Sequence, residues 1–245
     1  MGSSASPPSK LFCSPLRNPL IIALDVDSEL EALRLVDELT PWAGAFKLGP
    51  RLCYRYGQDI VQKISTKAPV FVDNKYFDIP STMEAAVRAS FEAGASLLTI
   101  HALSGPEVLR RLAKLECELR EIRPFVILNV TILTSWSQDS LPSVFQTQSI
   151  LNHVVALSEM VRESGLTGLV CSAHELSEID TEGLFVVTPG VRFAGDTVND
   201  QQRVMTPSQA LALGARGVVV GRPIIEATNP AAKAKQYFDS MILSK

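Results

Sequence analysis

The chain has 245 residues, of which 46% are hydrophobic and 20% are charged, and its formal net charge is −3. This hydrophobic fraction is typical of a folded globular protein and excludes extended disorder. The mildly acidic balance gives no indication of nucleic-acid binding. No apolar run approaches the ~18 residues that a membrane-spanning helix needs, so no membrane partner is predicted.

Neither the cysteines nor the three histidines have the spacing of a metal site. The cysteines form no C-x-x-C pair and are interpreted as reduced thiols of a cytoplasmic protein: Cys13, Cys53, Cys117 and Cys171. Residues 1–19 are rich in Ser and Pro and lack the apolar stretch of a secretory signal. We therefore predict a flexible leader over 1–19 and a single folded domain over 20–245.

From Leu20 onwards, short apolar segments alternate with longer segments of helical periodicity. Ser28 followed by Glu31 is a capping box that predicts the start of the first helix. The apolar segments are predicted as strands at 20–25, 45–49, 70–75, 96–101, 125–131, 168–172, 184–190 and 217–222.

The other helices are predicted from apolar periodicity and from start and stop signals. Ser81 with Glu84 is a second capping box. Thr206-Pro207 and Gly214 mark the start and end of a late helix. The remaining helices are predicted after Gly49 to about 64, at about 106–119, near 148–164, shortly after 172, and from Asn229-Pro230 onwards.

Eight strand–helix units indicate the α/β class with a parallel sheet covered by helices. Eight units in about 225 residues fit a (β/α)₈ TIM barrel. An open doubly wound sheet is the alternative. That fold more often has a glycine-rich turn after its first strand, whereas this strand ends in Asp25-Val26-Asp27.

In a barrel, the carboxyl ends of the strands converge on one face, where active sites lie. Charged and polar residues are dense at the predicted ends: Asp25, Lys47, Asp73, Lys75, His101, Thr131, Thr134, Arg192 and Arg222. Because charged groups are seldom buried without a partner, this pattern predicts a paired network in a cleft. His101 is interpreted as a hydrogen-bonded scaffold residue.

Asp73 and Lys75 are two residues apart, so we expect both side chains on one side of an extended strand. Asp78 follows in the next loop. A lysine held between carboxylates stays protonated, so Lys75 is better suited to deliver a proton to a carbanion than to form a Schiff base.

The predicted seventh and eighth strands end in Thr188-Pro189-Gly190-Val191-Arg192 and Gly221-Arg222-Pro223. The loops after these strands often bind phosphate in such barrels. Gly221 permits close backbone approach to an anion, and an arginine can bind two of its oxygens. The stretch at 193–203 is long and polar for a loop between a strand and a helix, which is typical of an active-site lid. Gln201 could reach the phosphate from this loop.

The motif Asp73-x-Lys75-x-x-Asp78-Ile79-Pro80, together with Asp25, Lys47, T-P-G-V-R and V-G-R-P, resembles the orotidine 5′-phosphate decarboxylase family. The resemblance runs from about Leu20 to the C-terminus. It implies a (β/α)₈ homodimer that needs no cofactor. The implied reaction converts orotidine 5′-monophosphate to UMP and CO₂, the last step of de novo pyrimidine synthesis.

The resemblance also implies roles for individual residues. Lys75 would donate the proton to C6 of the pyrimidine, and Asp73 would sit beside the leaving carboxylate. Asp78, with the neighbouring Ile79 and Thr82, would reach into the partner subunit's site. The remaining implied substrate contacts are Asp25 and Lys47 at the ribose, Thr134 at the pyrimidine, Arg192, Gln201, Gly221 and Arg222 at the phosphate, and Pro189.

Two alternatives remain at this stage. Related barrels with the same D-x-K-x-x-D core act on keto-sugar or hexulose phosphates with Mg²⁺, and by resemblance carry Glu where this chain has Lys47 and Thr where it has Tyr76. The second alternative is a barrel that binds a nucleotide without catalysing a reaction. The chain departs from the family pattern at Phe77, Ser81 and Ser104, outside the Asp–Lys set.

Overall fold

The computed structural model describes residues 14–193 and 205–242, which form a closed barrel of parallel strands in sequence order. The first strand pairs with the eighth, with Ile21 opposite Val219, and this pairing closes the sheet. The strands are β1 Leu20–Ala23, β2 Ala45–Leu48, β3 Val70–Tyr76, β4 Ala95–His101, β5 Val126–Val130, β6 Gly168–Val170, β7 Phe185–Pro189 and β8 Gly217–Val220. The (β/α)₈ prediction is confirmed, and the open-sheet alternative is wrong.

Helices cover the outside of the barrel. They are α1 Glu29–Leu39, α2 Pro50–Ser65, α3 Pro80–Glu92, α4 Pro106–Arg120, α5 Ile150–Ser164, α6 Pro207–Ala212, α7 Arg222–Ile225 and α8 Pro230–Ile242. No helix within the described ranges is both long and apolar enough to cross a bilayer.

Both faces of the sheet are buried, which explains why the strands read as continuous apolar runs. Alternate positions fill the barrel interior: Ile21, Ala23, Ala45, Phe71, Leu97, Val126, Leu128, Phe185, Val187 and Val219. Intervening residues such as Ile22 and Phe46 belong to the second apolar layer, between the sheet and the helices. Because side chains fill the barrel interior, the site is expected at the carboxyl ends of the strands, where active sites of this fold lie.

The helix-start signals at Ser28, Thr206 and Asn229-Pro230 were correct, and the one at Ser81 was wrong. The Ser28 hydroxyl accepts from the N–H of Glu31, and Thr206 and Gln209 form a reciprocal capping box. By contrast, α3 starts at Pro80 with Ile79 as its N-cap, so Ser81 and Glu84 form no capping box. Proline fits the first helical turn because it lacks the N–H that would be unpaired there, and Glu84 instead pairs with Arg111 of α4 at 2.7 Å.

The last part of the predicted leader contacts the barrel. Leu16 packs against the interior cluster, and the backbone N–H of Arg17 donates to the carbonyl of Gly44 at 3.2 Å. The Arg17 guanidinium donates to the carbonyl of Lys67 at 2.8 Å. These contacts cover the amino-terminal end of the barrel, opposite the candidate site. Residues 1–13 lie outside the described part of the chain.

Glu116 is a buried carboxylate that ties α4 to the sheet. It accepts the backbone N–H of Ile127 at 3.1 Å and pairs with Arg120 at 3.2 Å. Burial raises the pKa of Glu116 from 4.5 to about 7, although Arg120 and the Ile127 N–H both favour the charged form.

We predict that Glu116 makes the fold less stable as the pH rises. The pKa of Glu116 is higher in the folded chain than in the unfolded chain. Its contribution to the free energy of unfolding is therefore full below about pH 4.5 and is lost as the pH rises through about 7. The free energy of unfolding of the wild type, relative to Glu116→Gln, should therefore fall by about 2 kcal/mol between about pH 5 and about pH 8. Urea unfolding at both pH values measures this difference.

Glu118→Gln, at an exposed position on the same helix, is the matched control and should track the wild type at both pH values. Parallel pH dependence of the wild type and Glu116→Gln would contradict the prediction.

Candidate active site

Four charged side chains form a continuous chain of ion pairs at the carboxyl ends of the first three strands. The ammonium of Lys47 lies 3.5 Å from Asp25 and 3.3 Å from Asp73. The ammonium of Lys75 lies 2.8 Å from the other oxygen of Asp73. The order Asp25–Lys47–Asp73–Lys75 therefore alternates in sign, as the sequence predicts for a paired network.

Asp73 is the centre of this network. Burial alone would raise its pKa, but the ammonium groups of Lys47 and Lys75 and the hydrogen bonds from Lys75 and Thr99 outweigh burial and hold the pKa of Asp73 below its usual value. Its side chain is 14% exposed, that of Lys47 is 13% exposed, and that of Lys75 is 40% exposed. The outermost ammonium is thus the one that an incoming molecule can reach.

The sequence places Lys75 between two carboxylates, Asp73 and Asp78, but within one chain Lys47 holds that position. The Asp78 carboxylate accepts the N–H of Ile79 at 2.6 Å and forms no ion pair with Lys75 among the described residues. Asp78 and Thr82 line a separate surface depression that borders Lys75. Phe77 and Ile79 beside it are each 64% exposed.

The backbone at Lys75 departs from the regular strand that the two-residue spacing assumes. Lys75 has φ of 50°, in the left-handed region, and no other described non-glycine residue has positive φ. The register between β3 and β4 shifts between Val72 and Tyr76. The Asp73–Lys75 contact is therefore made across a bulge in β3.

Thr99 on β4 joins this site and was not identified from the sequence. Its hydroxyl accepts the N–H of Lys75 and donates to Asp73, both at 2.9 Å. A threonine inside an apolar strand is an ordinary β-former. The only signal that could have identified it is its position two residues before the end of the strand.

The ion pairs form one side of a cavity of about 130 Å³ at the mouth of the barrel. Thr134 and Pro189, both predicted site residues, line it. The rest of the lining is mostly apolar: Phe71, Val130, Ile132, Leu133, Val170, Val187 and Val219, together with Lys47, Asp73, Lys75 and Thr99. A charged edge facing an apolar wall suits a flat ring with one ionic group.

The two predicted phosphate loops lie at the ends of β7 and β8. Strand β8 is shorter than predicted, because Gly221 caps the short helix α7 and Arg222 is its first residue. A Cβ at position 221 would lie 3.2 Å from that of Ala23 and 3.3 Å from the Asp25 carboxylate, so glycine permits this close approach. Arg192 is buried, and its backbone N–H donates to Met205. Gln201 and most of the predicted lid lie outside the described residues.

His101 at the end of β4 does not join the ion-pair chain. Its Nδ1 accepts the N–H of Leu103 at 3.4 Å, and its ring lies 6.0 Å from that of Phe77. Burial and the positive charge of Lys75 lower the pKa of His101. Within the described ranges, Cys53, Cys117 and Cys171 are free thiols, and His, Cys, Asp and Glu form no group of three that could hold a metal.

The site can bind an anion and can place a protonated amine against a ring held by apolar side chains. Such an ammonium stabilises negative charge that develops within reach and can then transfer its proton. The Asp73 carboxylate holds the Lys75 ammonium from one side, at 2.8 Å.

Comparison with known proteins gives a consistent family assignment. A family model for "Orotidine 5′-phosphate decarboxylase / HUMPS family" matches residues 18–237. Orotidine 5′-phosphate decarboxylase of Carboxydothermus hydrogenoformans is 39% identical over 228 residues, covering 91% of this chain and 95% of that protein. The enzyme of the same name from Vibrio parahaemolyticus is 36% identical over 226 residues, covering 91% of this chain and 97% of that protein.

A solved structure agrees with these sequence relatives. The crystal structure of orotidine 5′-phosphate decarboxylase from Lactobacillus acidophilus matches with a TM-score of 0.79 and 29% identity. The match covers 92% of this chain and 99% of that one, so the whole barrel corresponds.

Proposed function

The chain belongs to the orotidine 5′-phosphate decarboxylase / HUMPS family, and we propose that it converts orotidine 5′-monophosphate to UMP and CO₂ in pyrimidine biosynthesis. The observation that carries this proposal is the alternating chain of ion pairs that ends in the ammonium of Lys75. We also expect the enzyme to act in the cytoplasm, where unpaired cysteines persist.

The reaction demands stabilisation of a localised charge. When the bond between C6 and the carboxylate breaks, its electron pair stays on C6 and CO₂ leaves. The Lys75 ammonium stabilises this carbanion electrostatically and then transfers a proton to C6, which leaves a neutral amine that is reprotonated from solvent. The charge on Lys75 is available because Asp73 fixes the ammonium at 2.8 Å before substrate arrives.

Asp73 has two functions in this proposal. It orients Lys75 and, because its pKa is depressed, it remains a carboxylate at neutral pH. It also lies where the substrate carboxylate would be bound, so the two like charges disfavour the ground state until CO₂ departs. Lys47 lies between Asp25 and Asp73 and offsets their negative charge. In this proposal, Lys47 and Asp25 also contact the ribose.

The phosphate is proposed to bind at the loops after β7 and β8. In this fold such a site combines those loops with the start of a short extra helix, and α7 matches that description. Gly221 supplies close backbone approach, Arg192 and Arg222 supply positive charge, and Gln201 supplies a side-chain amide. Binding energy from this remote group can serve the transition state when the site closes around the substrate.

The site is proposed to be completed by a second copy of the chain. Asp78 and Thr82 border Lys75 but point to the surface, next to a patch of exposed Tyr54, Phe77 and Ile79. An exposed apolar patch of this kind marks an interaction surface. In a two-fold dimer, this patch would face its own copy and bring Asp78 of one chain to Lys75 of the other.

The metal-dependent members of the wider family are the alternative function. By resemblance, these metal-dependent enzymes use Mg²⁺ and have Glu at the position of Lys47. Here the ammonium of Lys47 itself supplies the positive charge between Asp25 and Asp73. This arrangement favours the decarboxylation of orotidine 5′-monophosphate.

We predict that Lys75→Ala abolishes turnover and preserves the fold. Loss of both charge stabilisation and proton transfer should lower kcat by at least about 10³-fold. Loss of orotidine 5′-monophosphate absorbance measures the rate, and circular dichroism checks the fold. Lys67→Ala, on the exposed loop before β3 at the opposite end of the barrel, is the matched control and should keep full activity. Decarboxylation by Lys75→Ala near the wild-type rate would refute the assignment, and a wild type that binds UMP without turnover would indicate a non-catalytic barrel.

We predict that Arg222→Ala mainly weakens phosphate capture. Loss of a charge-assisted hydrogen bond of about 1.5–3 kcal/mol should raise the Kd for UMP about 10- to 100-fold. Calorimetric titration with UMP and with uridine separates the phosphate contribution, because uridine binding should not change. Arg216→Ala, exposed at the amino-terminal end of β8, is the control. Unchanged UMP affinity in Arg222→Ala would place the phosphate site elsewhere.

We predict that two inactive variants restore activity when mixed. Each active site would combine Lys75 of one chain with Asp78 of the other, so a heterodimer of Lys75→Ala and Asp78→Ala keeps one intact site of its two. Random exchange should therefore recover about one quarter of the wild-type rate.

The control mixes Lys75→Ala with Asp73→Ala, whose altered residues belong to the same half of the site, and it should recover nothing. Absence of recovery with Asp78→Ala, when mass spectrometry shows that subunits have exchanged, would rule out a shared site.

A further inference from the structure

Strand β3 contains an irregularity at the residues that carry the chemistry. Val72 is opposite Leu98 and Tyr76 is opposite Ile100, so three residues of β3 face the single residue Thr99 of β4. Such a bulge leaves backbone groups without ladder partners. The backbone N–H of Lys75 is one of these groups, and an unpaired buried N–H carries a substantial free-energy cost.

The Thr99 side chain compensates for this irregularity. Its hydroxyl accepts the Lys75 N–H at 2.9 Å and donates its own proton to Oδ1 of Asp73 at 2.9 Å. A hydroxyl can do both at once because it has one proton and two lone pairs. Thr99 is 1% exposed, so the hydroxyl is held within the protein where both partners reach it.

These bonds close a ring that contains both ends of Lys75. Its backbone is joined through Thr99 to Asp73, and Asp73 is joined to the Lys75 ammonium at 2.8 Å. The ring holds Lys75 at φ of 50°, in the left-handed region that is strained for a non-glycine residue. A strained backbone persists only where surrounding contacts maintain it.

We propose that Thr99 is a positioning residue that sets the backbone conformation of Lys75 and the orientation of Asp73, and thereby aims the Lys75 ammonium at the reacting carbon. This proposal rests on the proposed decarboxylase function. Thr99 acts through Lys75 and Asp73 and does not itself transfer a proton. Small displacements of a catalytic group lower the rate steeply, since the chemistry depends on a preorganised charge.

The proposal also has an electrostatic consequence. The hydroxyl of Thr99 stabilises the ionised form of Asp73, so its removal should raise the pKa of Asp73. The other charged and titratable groups around this carboxylate are Lys47 on β2, Lys75 on β3, Asp25 after β1, Cys53 on α2 and His101 on β4. A substitution at Thr99 leaves the identity of each of these groups unchanged.

The test compares Thr99→Val, which keeps the shape and removes the hydroxyl, with Thr99→Ser, which keeps the hydroxyl. Thr99→Val should lower kcat about 10- to 100-fold with KM changed less than about threefold, because the hydroxyl affects the transition state rather than substrate capture. The acid limb of its kcat profile should move to higher pH. Thr99→Ser should stay within about threefold of the wild type in kcat.

Thr167→Val is the matched control, since its buried hydroxyl has no hydrogen-bond partner among the described residues and lies before β6 at the opposite end of the barrel. It should leave kcat and the pH profile unchanged. Thermal unfolding of all variants shows whether a fall in rate reflects loss of folded protein.

Wild-type kcat in Thr99→Val would overturn the proposal. An equal fall in Thr99→Ser and Thr99→Val would also overturn it, because the hydroxyl would then not be responsible. A carboxyl-carbon NMR titration of Asp73 gives a readout that is independent of turnover: a higher pKa in Thr99→Val supports the proposal, and an unchanged pKa contradicts it. If the wild type lacks decarboxylase activity, the proposed function fails separately, and this titration still decides whether Thr99 controls Asp73.

Discussion

The site depends on the two ion pairs that balance the negative charge of Asp73, a carboxylate that is largely removed from water. An isolated charge in that position would be costly, and the ammonium groups of Lys47 and Lys75 on its two oxygens make it tolerable. The same contacts hold both lysines in place without substrate. A buried ion-pair network is weak evidence for stability but strong evidence for preorganisation, since it fixes charges before the reaction needs them.

The barrel makes this network possible by bringing the ends of distant strands together. Asp25, Lys47 and Asp73 come from three successive strand ends and meet because parallel strands of a closed sheet finish at one face. The fold is locally irregular at the site, where Lys75 lies in a bulge with positive φ. The regularly packed interior thus maintains one strained segment at the site. Enzymes commonly have strained backbone at the active site within an otherwise regular fold.

In the proposed dimer, a single chain would present only part of the site. Lys75 is partly exposed on the side that faces Asp78 and Thr82, and those residues point to the surface beside exposed Tyr54, Phe77 and Ile79. Shared sites link activity to assembly, because neither chain then supplies all the charges that the reaction uses. The chemistry and the interface would therefore constrain the same short segment that follows β3.

The sequence by itself determined the fold class and the principal charged residues. Eight apolar segments alternating with amphipathic ones specify a parallel barrel, because strands buried on both faces must be apolar throughout, and charges at their ends must then share one face. Only the tertiary structure decided which charges pair. Lys47, rather than Lys75, lies between two carboxylates of the same chain, and Thr99 on β4 closes the ring around Lys75. The register shift between β3 and β4 was equally unpredictable, whereas the start of α3 at Pro80 follows a local proline signal that the sequence carries. The physical reason is that sequence spacing reports the local repeat of a strand or helix, whereas a bulge and a cross-strand hydroxyl arise from contacts between segments more than twenty residues apart.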